Sequence, residues 1–173
     1  MTVSDYVWEF LANKGVTHCY FLPGGGCMHL VDALARQDRI KPVAMHHEQA
    51  CGWASQGHNI LTNTLSSVVL VTTGPGGTNA VTPCAGAWID ETPMLFISGQ
   101  VPRFMIREYW ERQRGPQEVT ITDIVEPITK ECILSKDAMV WLPELYREAT
   151  THPRGPVWLD VPLDIQGVSI GTR

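Results

Sequence analysis

The chain has 173 residues, 44% hydrophobic and 18% charged, with a formal net charge of −5. That length fits a single domain over 1–173 with a sizeable core. The acidic balance gives no basic footprint for nucleic acid, no apolar run reaches membrane-spanning length, and Met1-Thr2-Val3-Ser4-Asp5 lacks the basic and apolar regions of a secretory signal.

Val3, Val7, Phe10 and Leu11 recur at helical spacing, which predicts a helix over 3–14 that Gly15 stops. A strand is expected over 17–22, then a helix over 28–37 with Leu30, Val31 and Leu34 on one face. A short strand over 41–45 leads into a helix over 48–60. The run Ser67-Val68-Val69-Leu70-Val71 reads as a strand buried on both faces. A helix over 77–89 and a strand over 93–98 follow. Residues 101–118 break the rhythm with many charges and two exposed aromatics, as a functional loop or a solvated one would, with at most one helical turn. A helix over 137–151 contains Pro143, near its first turn or at a kink, and a last strand covers 157–161. Strands alternating with helices predict an α/β fold: a mostly parallel, twisted sheet of about six strands with helices on both faces. Cys19, Cys27, Cys51, Cys84 and Cys132 are odd in number and form no C-x-x-C pair. They read as buried free thiols of a cytoplasmic chain.

Glu48, in His46-His47-Glu48-Gln49-Ala50-Cys51, stands at a strand-to-helix junction. In open α/β sheets such junctions border the crevice beyond the carboxyl ends of the strands, where ligands bind. A carboxylate buried there needs a partner. The plainer alternative is a first-turn acid that complements the helix dipole. Leu22-Pro23-Gly24-Gly25-Gly26 permits tight turns and close backbone approach to a ligand, yet it is neither a P-loop nor G-x-G-x-x-G. Gly74-Pro75-Gly76 makes a rigid turn into the next helix, whose first N–H groups can bind a polar ligand edge, or it is a plain connection. His29, His46, His47 and His58 lack metal-ligand spacing with acidic partners, so no metal ligands are assigned.

These segments, with Thr72-Thr73-Gly74-Pro75-Gly76-Gly77-Thr78-Asn79, Ser98-Gly99-Gln100-Val101 and Pro156-Val157-Trp158-Leu159-Asp160-Val161-Pro162, occur in a particular order and spacing. From Val3 to Ile165 the chain resembles the N-terminal pyrimidine-binding domain of thiamine-diphosphate enzymes of the acetolactate synthase, pyruvate oxidase and decarboxylase type. The resemblance implies that Glu48 is the catalytic acid, hydrogen-bonded to the cofactor's aminopyrimidine and favouring the imino tautomer needed for attack on a 2-keto acid. It implies that Leu22, Pro23, Gly24, Gly25, Thr72, Gly74, Pro75 and Asn79 bind the pyrimidine end, and that His47 and Gln117 lie near the substrate. Pro116 departs from the aromatic or aliphatic residue usual before that glutamine, which leaves the keto acid open. Gly-Asp-Gly, the family's Mg²⁺ and diphosphate motif, is absent from these residues. The implied site is therefore a half-site, with Mg²⁺ held by a partner diphosphate-binding domain or subunit. The helices bearing Glu48 and following Gly76 would lie at a subunit interface, as in a homodimer of this domain, with no nucleic-acid or membrane partner. The chain ends, at Gly171-Thr172-Arg173, where the family begins a linker. This fits a piece of a longer carboligase, or a free-standing α subunit of a split phosphonopyruvate- or sulfopyruvate-type decarboxylase. A third reading is a non-catalytic assembly or regulatory domain.

Overall fold

The computed structural model describes residues 1–135 and 137–171. Thr2 opens α1 (Val3–Asn13) with a capping box: its hydroxyl accepts from the Asp5 N–H while the Asp5 carboxylate accepts from the Thr2 N–H. Then come β1 (His18–Phe21), a 3-10 turn at Gly25–Cys27, α2 (Met28–Arg36), β2 (Lys41–Ala44), α3 (Glu48–Thr62) and β3 (Ser67–Val71). Next are α4 (Pro75–Asn79), α5 (Val81–Ile89), β4 (Met94–Gln100), α6 (Ile121–Val125), β5 (Glu131–Leu134), α7 (Ala138–Thr150), β6 (Pro156–Pro162) and α8 (Leu163–Gln166).

The six strands form one sheet in the order β2-β1-β3-β4-β6-β5, and every pairing is parallel, as the alternation of elements predicts. Both faces are covered. Val68 and Leu70 of β3 join Val157, Leu159 and Val161 of β6 in a core under α1, α2 and α7. Val69, Val71, Phe96 and Trp158 point the other way, into a second core under α3, α5 and α6. The period of two along each strand thus divides one continuous apolar run between two helix layers. Among the described residues no helix is long and apolar enough to cross a membrane. The cysteines are free thiols, four of them buried and Cys132 half-buried. Thr172 and Arg173, at the expected start of a linker, lie outside the described residues.

Three expectations need correction. The helix predicted over 77–89 is two helices, α4 and α5, meeting at Ala80. Pro83 explains the break: it has no N–H to donate four residues back, and its ring crowds the Asn79 carbonyl. Pro143 does not occupy the first turn but lies inside α7. The Met139 carbonyl that it leaves without a helical donor accepts instead from the Tyr6 hydroxyl at 3.4 Å. The sequence elements also omitted β5, a four-residue edge strand without alternating burial, and the short helices α6 and α8.

Candidate active site at the carboxyl ends of the strands

Glu48 is the first residue of α3, directly beyond β2. His47 caps this helix: its Nδ1 accepts from the Gln49 N–H at 3.1 Å. The His47 side chain therefore serves the helix terminus and stands exposed. Glu48 itself is buried, with 8% exposure. Its Oε2 accepts from Asn79 Nδ2 at 2.9 Å, so the two sequence-predicted residues from α3 and α4 meet. Among the described residues Oε1 has no protein donor, and it faces Gly76, where a Cβ would stand 3.6 Å away. A side chain at 76 would fill that space and press on Thr72 Cγ2 at 2.8 Å.

Thr72 links this turn to the glycine loop. Its Oγ1 accepts from the Gly26 N–H at 3.1 Å, and a Cβ at Gly24 would stand 2.5 Å from the threonine side chain. Leu22 packs half-buried on the α3 side of the sheet with Tyr20 and Met45. Pro23 and Gly25 are exposed and, with Gly24, border a depression of about 470 Å³ shared with α2, whose lining does not include Glu48. Pro75 is exposed at the start of α4.

The long loop returns to the site. Gln117 has φ +57°, and its carbonyl oxygen lies so close to Gly74 that a Cβ there would overlap it. Gly74 has φ +59° and ψ −109°, a backbone conformation open essentially to glycine alone. Gln117 and Pro116 join Gly25, Gly26, Thr73 and Gln100 around a cavity of about 340 Å³. Thr73 Oγ1 is buried and among the described residues has no hydrogen-bond partner. Such a group needs a ligand or water to satisfy it. Glu48 does not line this cavity; the Thr72–Gly76 turn carries residues of both. A larger open depression of about 680 Å³, around Arg103, Phe104 and Arg107, includes none of the predicted site residues.

Sequence reasoning gave no role to the polar cluster at the ends of β4 and β6. Asp160 faces Ser98 across the ladder, and Ser98 Oγ donates to Asp160 Oδ1 at 2.6 Å. Gln100 Nε2 donates to Asp160 Oδ2 at 2.9 Å, and Trp158 Nε1 donates to Ser98 Oγ at 2.8 Å. Burial pushes the Asp160 carboxyl up to about 7, against the opposing pull of the bonds from Ser98 and Gln100. A lone acid in an otherwise apolar strand was the available signal. Beside the site, burial foremost and then the Glu48 charge push the Cys51 thiol up to about 12, so it is inert as a nucleophile. Among the described residues no group of His, Cys, Asp and Glu is placed to hold a metal ion.

A parallel α/β sheet with a buried, amide-oriented carboxylate and a glycine turn at its carboxyl edge defines a cofactor-binding domain. It suits a ligand with a flat, hydrogen-bonding edge. The sequence profile described as the thiamine pyrophosphate enzyme, N-terminal TPP binding domain, matches residues 1–124. Acetolactate synthase 2, chloroplastic, of Nicotiana tabacum is 38% identical over 167 residues, covering 94% of this chain and 24% of the relative. The acetolactate synthase isozyme 1 large subunit of Escherichia coli (strain K12) is 34% identical over 169 residues, covering 95% and 29%. The acetolactate synthase catalytic subunit, mitochondrial, of Aspergillus candidus is 35% identical over 168 residues, covering 95% and 23%. The chain belongs to the thiamine pyrophosphate enzyme family, as its N-terminal TPP binding domain. It spans about a quarter of the length of these curated relatives.

Proposed function

We propose that the chain forms the pyrimidine-binding half of the active site in a thiamine-diphosphate-dependent decarboxylase or carboligase of the acetolactate synthase type, acting on a 2-keto acid. The observation that carries this reading is the divided carboxylate: Oε2 of Glu48 is held by Asn79, while Oε1 faces the space over Gly76 with no donor among the described residues. These residues fit the aminopyrimidine end of the cofactor, which offers a ring nitrogen and an amino group along one edge. When bound, the cofactor supplies the electron sink for decarboxylation. Glu48 holds and exchanges a proton at Oε1, and Asn79 fixes the orientation of the carboxylate. Leu22 offers an apolar contact to the ring. Gly24, Thr72, Gly74 and Pro75 keep the two turns close enough for backbone approach, with Pro23 and Gly25 on the outer side of the glycine loop. Gln117 stands on the substrate side. His47 acts indirectly, by capping the helix that presents Glu48.

The diphosphate and its Mg²⁺ belong to a partner domain or subunit, since Mg²⁺ needs a set of oxygen ligands. Trp53, Ile60, Trp88 and Ile89 are exposed on α3 and α5, which supports a second copy or a partner domain against those helices. The test is Glu48→Gln in the intact protein with its diphosphate-binding partner. Turnover of 2-keto acids should fall about 10²–10⁴-fold, the usual contribution of a positioned acid–base group. Retention of wild-type turnover by this variant would refute the assignment of Glu48.

A further inference from the structure

Residues 101–118 make an eighteen-residue excursion that carries Gln117 near its end, and one side chain closes its neck. Gln100 Oε1 accepts from the Val101 N–H at 2.9 Å, where the excursion begins, and Gln100 Nε2 donates to the Val119 carbonyl at 2.9 Å, where it ends. The same Nε2 donates to Asp160 Oδ2. Inside the loop the Glu118 carboxylate accepts from the N–H groups of Arg114, at 2.9 Å, and Gly115, at 3.1 Å. Arg103 is tied to Asp164.

The polarity of the clasp is fixed by groups that have no choice. An indole N–H only donates, so Ser98 Oγ accepts from Trp158 and turns its own hydrogen to Asp160. The Val119 carbonyl only accepts and the Val101 N–H only donates, so the Gln100 amide can serve both in a single orientation. Asp160 stabilises that orientation because the amide reaches it with Nε2. We propose that Asp160 is a positioning residue: through the Gln100 side chain it closes the neck of the 101–118 loop and so seats Gln117 against the Gly74–Pro75 turn. Its functional consequence rests on the reading of Gln117 as a substrate-side residue.

The test compares Asp160→Val, Asp160→Asn and Gln100→Met in the intact protein, by amide hydrogen exchange over residues 103–118 and by KM and kcat for the 2-keto acid. Valine removes the acceptor, whereas asparagine can still accept from Gln100 Nε2 through its own oxygen. Asp160→Val and Gln100→Met should raise exchange in the loop about tenfold, as the loss of one buried hydrogen bond does, with the central strands still protected. Both should raise KM more than they lower kcat, and Asp160→Asn should retain the protection. The proposal fails if exchange stays at the wild-type level in Asp160→Val and Gln100→Met, or if Asp160→Asn loosens the loop as much as valine does. Should Asp160→Val not fold, Gln100→Met against Asp160→Asn decides in the same way. Exchange requires neither cofactor nor keto acid, so it judges the clasp independently of the functional reading. An unchanged KM in a variant whose loop has loosened overturns Gln117 as a substrate-side residue.

Discussion

Two glycines with positive φ provide a controlled measurement of the contact between the long loop and the Gly74–Pro75 turn. Gly15, at φ +88°, has nothing within 4 Å of the place a Cβ would occupy. Gly15→Ala therefore carries backbone strain alone, about 1 kcal/mol. Gly74 adds a collision to the strain: an alanine Cβ would overlap the Gln117 carbonyl oxygen and stand 2.9 Å from its carbon. Gln117 cannot easily retreat, since it is itself at φ +57° and the next residue, Glu118, is held by hydrogen bonds to Arg114 and Gly115. Strain of about 1–3 kcal/mol and overpacking of similar size put Gly74→Ala at about 2–6 kcal/mol, centred on about 4. With a urea slope of about 2 kcal/mol per molar, the midpoint should fall by about 2 M for Gly74→Ala and about 0.5 M for Gly15→Ala. Equal shifts for the two variants would mean that the loop does not rest on Gly74 in solution, and the placement of Gln117 would fall with it.

Asn59 is fully buried; its amide donates to the Ser67 and Pro93 carbonyls and accepts from the Ser66 and Ser67 N–H groups, so Asn59→Ala should cost about 3–5 kcal/mol by leaving several of them unpaired. A loss under about 1 kcal/mol on urea titration would contradict that network. Asp160 imposes a pH dependence of definite sign. Its folded value of about 7 lies above the ordinary 3.8, so the unfolded chain releases this proton first. Between about pH 4 and 7 its contribution to stability should decline by about 4 kcal/mol as pH rises, then level off. The stability of Asp160→Asn relative to the parent should therefore grow from pH 4 to 7, and a pH-independent difference between the two would remove the argument. Asn79→Ala should weaken thiamine diphosphate binding to the intact protein about tenfold, by freeing the Glu48 carboxylate from its orienting bond; unchanged affinity by calorimetry would show that Asn79 does not set that orientation.

Strong periodicity made much of the fold legible. Val3, Val7 and Leu11 do form the buried face of α1, and the run at 67–71 is buried throughout. The division of α4 from α5 was legible in principle from Pro83, but the surrounding small residues suit a helix and concealed it. β5 was not legible, because four half-buried residues at a sheet edge show neither alternation nor a continuous apolar run. At the site, Glu48 and Asn79 meet across thirty-one residues of chain in a contact that local pattern does not state, and the His47 ring is a helix cap whose Nδ1 bond no spacing rule announced. Gln100 and Asp160 are sixty residues apart in the chain. Their contact depends on the adjacency of β4 and β6, which local pattern does not encode.

The turns at the carboxyl edge rest on one another through backbone at Gly74 and Gly99 and through the Thr72 and Thr73 side chains at Gly24, Gly26 and Gly76. Side chains at Gly99 and Gly26 would overlap, respectively, the Gly26 carbonyl and Thr73, and one at Gly74 would overlap Gln117. A frame assembled in this way takes its shape from its own backbone and two threonines, and none of the close contacts at these glycines comes from an aromatic of the long loop. Phe104, Tyr109 and Trp110 project from the long loop and are 73%, 95% and 78% exposed. They can be varied as a set without disturbing the spacing of the turns. For an engineer this separates two kinds of position: glycines whose substitution strains the frame, and a rim that can be rewritten while the Glu48 carboxylate stays where it is.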